Sequence, residues 1–137
     1  MNHYRFSEIE PGKKESFTVT VTGEMMEHFR LITGDLNPLH NEEGYAKEKG
    51  YPGRVCYGLL TASFLSTLAG MYLPGEHSLI RGMEVNFRKP VMIGDTLTIT
   101  GTVTEKQERF SLFVMKVEIK NQEGEKVLKG SMQVGVA

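Results

Sequence analysis

Apolar residues change their spacing along this chain near residue 80. Beyond that point apolar and polar positions alternate, the period of a strand with one buried face. In "DTLTITGTVTE", Leu97, Ile99 and Val103 face one way and five threonines face the other. In "FSLFVMKVEIK", Phe113, Met115, Val117 and Ile119 alternate with Lys116, Glu118 and Lys120. In "KVLKGSMQVGV", Leu128, Met132, Val134 and Val136 share a side. Turn signals at Ile93-Gly94-Asp95, around Gln107 and over residues 121–124 separate these runs. Consecutive strands on short connections predict an antiparallel meander whose apolar face must cover something.

Before residue 80 the pattern is mainly helical. The exception is "KESFTVTV", residues 14–21, where Phe17, Val19 and Val21 alternate with Ser16, Thr18 and Thr20 and predict a first strand. Thr22 then suits a helix cap, Glu24 the positive first turn, and Gly34 a stop at positive φ. Met25, Phe29 and Ile32 mark the inward face of this helix. A second short helix is expected after Asn41 as its cap, ending at Gly50.

Residues 58–73, "GLLTASFLSTLAGMYL", are the most apolar stretch and predict a buried helix. Leu60, Phe64, Leu68 and Met71 form a bulky stripe, and Gly58, Ala62, Ser66 and Gly70 a thin one. The thin stripe either packs closely on a sheet or leaves room for a ligand chain. Together these elements predict an α+β fold, a curved antiparallel sheet wrapped around one long central helix.

Composition narrows the function classes. A chain of 137 residues suits a single domain, here expected to span residues 1–137. A net charge of -1 argues against a nucleic-acid grip and against polybasic membrane binding. No apolar run approaches the roughly 20 residues of a membrane span, and the first residues carry no signal-peptide pattern. Cys56 is the only cysteine and fits a reducing compartment. These features set the expectation of a cytoplasmic protein.

The candidate chemistry lies in "TGDLNPLHNEEGYA", which places Asp35 and His40 five residues apart around an Asn-Pro pair. A carboxylate accepts protons and an imidazole exchanges them near neutral pH, so the two can hold and activate one water. Pro38 fixes its own φ and holds Asn37 extended, which stiffens the connection. Taken singly, an aspartate after glycine reads as a turn former and a loop histidine as solvated. Downstream, Gly58 opens the apolar helix, where unpartnered amides and the helix dipole suit a developing oxyanion. Ser66, two turns further, either bonds backbone or touches the site.

"LITGDLNPLHNEEGYA" resembles the hydratase motif of the MaoC-like, (R)-specific enoyl-CoA hydratases, and "YGLLTASFLSTLAG" resembles the segment entering that family's central helix. "EVNFRKPVMIGDTLTITGTV" extends the likeness over nearly the whole chain. The resemblance implies a hot-dog fold, a homodimer with sheets joined edge to edge, and an acyl-CoA or acyl-carrier-protein thioester substrate. It makes Asp35 and His40 the catalytic pair and Gly58 the amide that binds the thioester carbonyl, with Asn37 and Ser66 supporting. The family usually carries histidine before the helix glycine, whereas this chain has Tyr57, a possible substrate contact. Cys56 also replaces a more usual aliphatic residue.

The expected reaction is reversible hydration of trans-2-enoyl-CoA to (3R)-3-hydroxyacyl-CoA, without a metal or separate cofactor. Arg54, Arg81, Arg88 and Lys89 are candidates for the CoA phosphates, with an ordinary solvated charge the favoured reading of each. A hot-dog thioesterase and a non-catalytic acyl-CoA-binding protein are the alternatives, the latter kept open by Tyr57.

Overall fold

The computed structural model describes residues 1–137. Five strands form one antiparallel sheet: β1 (Lys14–Thr20), β2 (Ser78–Phe87), β3 (Thr96–Gln107), β4 (Leu112–Lys120) and β5 (Lys126–Val136). Their order across the sheet is β1-β3-β4-β5-β2. The predicted meander is β3-β4-β5. The strand before it, β2, does not pair with β3 but crosses to the far edge beside β5. Opposite it, β1 closes the other edge, with Phe17 facing Ile99 and Val19 facing Leu97.

Alternation decides which side chains are inside. Leu97, Ile99, Phe113, Met115, Val117, Ile119, Leu128, Met132 and Val134 are all fully buried. Each such side chain contributes about 1.5–3 kcal/mol when removed from water. Register shifts between Val103 and Glu105 and between Ile80 and Gly82 bend the sheet, as bulges do.

The curved face wraps a helix, α4 (Gly58–Thr67), which continues as a wider π-helical turn over Leu68–Tyr72. Its buried face is Leu60, Thr61, Ala62, Leu65, Leu68 and Ala69. This face cuts across both predicted stripes: Met71, placed in the bulky one, is 43% exposed, and Ser66 of the thin one is also outside. Close approach is possible because β3 carries Gly101 at its middle. A Cβ there would stand 2.8 Å from Met115 Sδ and 3.0 Å from Leu68 Cδ2. None of the helices is long and apolar enough to cross a membrane.

Three helices precede α4: α1 (Gly23–Thr33), α2 (Pro38–Asn41) and α3 (Glu43–Glu48). In α1 the hydroxyl of Thr22 accepts from the Met25 amide, and Gly34 at φ 72° ends the helix, as predicted. Its anchor is Met26, fully buried, whereas Ile32, predicted inward, is 81% exposed.

Candidate active site

Gly34 turns the chain out of α1 and delivers Asp35. The carboxylate of Asp35 accepts from the Asn37 amide at 3.0 Å, a tight local turn. Asn37 in turn accepts from the Leu39 amide at 2.9 Å and caps α2, whose first residue is Pro38. This corrects the predicted boundary: Asn41 ends α2 rather than capping α3, because Asn37-Pro38 nucleates a separate turn. His40 therefore rides on a helical turn, not on an open loop. Asn41 works as a cross-brace instead, donating to the carbonyls of Asp35 (3.3 Å) and Asn37 (2.9 Å) and to the Tyr57 hydroxyl (3.0 Å).

The strand-like stretch before α4 fixes His40 from the other side. Its Nδ1 lies 2.7 Å from the Val55 carbonyl. A carbonyl only accepts, so Nδ1 holds the proton and Nε2 is left for other chemistry. The Val55 amide donates back to Leu39 O at 3.2 Å. Arg54 Nε donates to the His40 carbonyl at 2.7 Å while its terminal nitrogen reaches Glu27 at 3.2 Å. That hydrogen bond is the main reason the Glu27 carboxyl titrates below its usual range, with Arg30 adding to it. Arg54 is thus a structural clamp, not a free cation for phosphate.

Asp35, His40, Tyr57, Gly58, Phe29, Thr33, Leu59 and Phe87 line one cleft of about 300 Å³. The predicted pair and the helix-opening glycine therefore meet. The Gly58 amide hydrogen-bonds to nothing within the chain; Tyr57 O is taken by the amides of Leu60 and Thr61. The Phe87 ring stands over Gly58, 3.2 Å from where a Cβ would be. Beyond Phe87 a second cleft of about 310 Å³ shares His40, Gly58 and Phe87 and adds Tyr51, Cys56, Arg88 and Lys89. Burial pushes the Cys56 thiol up to about 11, so it is a neutral, poor nucleophile there.

One predicted placement fails. Ser66 is exposed and lines neither cleft. It sits eight residues along α4 from Gly58, roughly 12 Å at the helical rise. Tyr57 borders the cleft yet is only 2% exposed, and its hydroxyl donates to Asp35 O at 2.6 Å. Among the basic residues, Arg81 lies at a distant groove beside Leu79 and Phe110, and Lys89 pairs with Glu125. Arg88 alone borders the second cleft without an ion-pair partner. Sequence reasoning missed Phe29, Asn41 and Phe87; the only signal for Phe87 is an aromatic at the end of a strand, before a basic pair.

The fold recurs in known proteins. The solved R-hydratase PhaJ1 of Pseudomonas aeruginosa superposes with a TM-score of 0.91 at 27% identity, covering 96% of this chain and 84% of that one. The fold is the hot-dog fold of these hydratase structures. The (R)-specific enoyl-CoA hydratase of Rhodospirillum rubrum is 36% identical over 102 residues, which is 74% of this chain and 70% of that protein. The (R)-specific enoyl-CoA hydratase of Aeromonas caviae is 29% identical over 92% of this chain and 94% of its own. The family model described as MaoC like domain matches residues 6–125, and this chain belongs to that family.

Proposed function

We propose that the protein is a MaoC-like hydratase acting on acyl thioesters, and that it hydrates trans-2-enoyl-CoA reversibly to (3R)-3-hydroxyacyl-CoA. The observation that carries this reading is the common cleft of Asp35, His40 and Gly58, with the Gly58 amide unbonded. The names of the Rhodospirillum and Aeromonas relatives support it.

In this mechanism a water sits between the Asp35 carboxylate and Nε2 of His40. One of the two groups takes a proton from the water as its oxygen bonds to C3, and the pair returns a proton to C2. The added atoms are those of one water, so no other reactant enters. Electron density moves onto the thioester oxygen, where the Gly58 amide and the positive end of α4 stabilise it. Asn37 supports by capping the turn that carries His40. Arg88 is the cation we assign to the CoA phosphates, across the second cleft.

Residues 1–137 act as one such domain. We also propose that it works as a homodimer: β2 is a free edge with Leu79 and Met83 about half exposed, and pairing two sheets removes such an edge. Light scattering giving a stable monomer would remove that part.

Crotonyl-CoA tests the reaction. The expected result is loss of the enoyl absorbance without free thiol, and a single product enantiomer. Thiol release would make the protein a thioesterase. Tight binding of acyl-CoA with no turnover at any chain length would leave a binding protein.

A further inference from the structure

Tyr57 stands where the family usually has histidine, and the structure shows what it touches. Its ring lies between His40, at 4.3 Å between centroids, and Phe29, at 4.9 Å. Its hydroxyl donates to the Asp35 carbonyl at 2.6 Å and accepts from Asn41 Nδ2 at 3.0 Å. One buried side chain therefore contacts both members of the Asp35–His40 pair.

The two members differ in how they are held otherwise. His40 is fixed through Val55 and Arg54. Residues 33–37 are all exposed, and the Asp35 carboxylate bonds only to Asn37, within its own turn. That local bond sets nothing about the distance from Asp35 to His40. Apart from a hydrogen bond between the Asp35 amide and Thr33, the ties to Asp35's main chain are Tyr57 and Asn41, and Asn41 is itself held by Tyr57. A phenylalanine would fill the same space and keep both ring contacts. The hydroxyl adds the tether.

We propose that Tyr57 is a positioning residue whose hydroxyl sets the separation of Asp35 from His40. This rests on the hydration reading above. It gives the departure from the family's histidine a mechanical role.

Tyr57→Phe is the test, read in two independent ways. With crotonyl-CoA, kcat should fall about 10- to 100-fold, the range produced by a misplacement of about 1 Å, with KM changed less than about threefold. In an Asp35→Asn background the same change should cost almost nothing more, because the hydroxyl acts through Asp35. Separately, the amides of Asn37 and His40 should exchange with solvent faster in Tyr57→Phe than in the wild type. Unchanged kcat, or a loss fully additive with Asp35→Asn, overturns the proposal, as does unchanged amide exchange. If the wild type hydrates no enoyl-CoA, the functional reading fails on its own, and the exchange comparison decides the tether. Should Tyr57→Phe not fold, Asn41→Ala removes the other tie to Asp35 and is judged by the same readouts.

Discussion

The sheet and the segment from Thr33 to Gly58 are held by different forces. In β3, β4 and β5 the inward residues are fully buried and every neighbour is a hydrogen-bonded ladder. Between residues 33 and 58 only Ala46, Val55, Cys56 and Tyr57 are buried. That segment keeps its shape by side-chain bonds to backbone: Asp35 to Asn37, Asn37 to Leu39, Asn41 to Asp35, His40 to Val55 and Arg54 to His40. The sheet resists loss of volume, and the site resists loss of direction. Substitutions in the first should therefore change stability, and substitutions in the second should change turnover.

The largest separation is expected at Asp35. Asp35→Asn keeps an oxygen for the Asn37 amide but removes the charge, so the fold should hold while kcat drops about 10²–10⁴-fold. His40→Ala should fall in the same range. Thermal unfolding of each variant beside its crotonyl-CoA kinetics checks both halves of the claim. Near-native turnover in both variants breaks it.

The converse is expected in the sheet. Phe113 is fully buried among the strands, and Phe113→Ala should cost about 3–5 kcal/mol of stability through lost burial and the cavity left behind. Turnover per folded molecule should stay within about twofold, because Phe113 lines neither cleft. Urea titration and active-site counting measure the two quantities. A variant that keeps its stability and loses its activity reverses the comparison.

This division also explains what was legible from residues alone. Alternation in β3, β4 and β5 reads directly, because one buried face repeats every second residue. The caps of α1 read directly too, since Thr22 and Gly34 act on their own neighbours. Asn41 misled because the same side chain suits a cap or a cross-brace, and the turn that Asn37-Pro38 starts has already taken it up as its last residue. The edge strand β2 did not declare itself: Leu79, Ile80, Met83 and Phe87 are largely exposed, and its place beside β5 is a long-range choice. Asp35, His40 and Gly58 were found by chemistry and spacing, and they do share a cleft. Ser66 and Arg54 were misplaced because residue type carries no information on direction or existing partners. The unusual residue at 57 was visible in the sequence, but not that its hydroxyl ends on the Asp35 carbonyl.

Cys56 lies where the two regions meet, its amide bonded to Val91 O at 2.7 Å and its thiol beside Thr61 at 3.6 Å. With a thiol pKa of about 11, the thiolate fraction at pH 8 is on the order of 0.1%, against roughly a quarter for an unperturbed cysteine. Alkylation by iodoacetamide should accordingly be about 10²-fold slower in the native protein than in urea. Fast native labelling would show that the packing of Cys56 against Thr61 opens in the folded protein.

The smallest effect is expected at Glu27, and it sharpens the comparison by pH. Its carboxyl is held below the usual range, chiefly by the hydrogen bond from Arg54. A depressed folded pKa stabilises the protein above the unfolded value of about 4.3 and loses that contribution as pH falls through the folded value. Glu27→Gln should therefore lower the melting midpoint slightly at pH 7 and match the wild type once the pH is below that folded value. The pair is partly exposed, so screening by solvent keeps the difference small. Activity should change less than about threefold, because Arg54 Nε still holds the His40 carbonyl without Glu27. A stability gap that persists in acid would mean that Glu27 acts by packing rather than charge, and a large loss of turnover would mean that the clamp on His40 needs both of its ends.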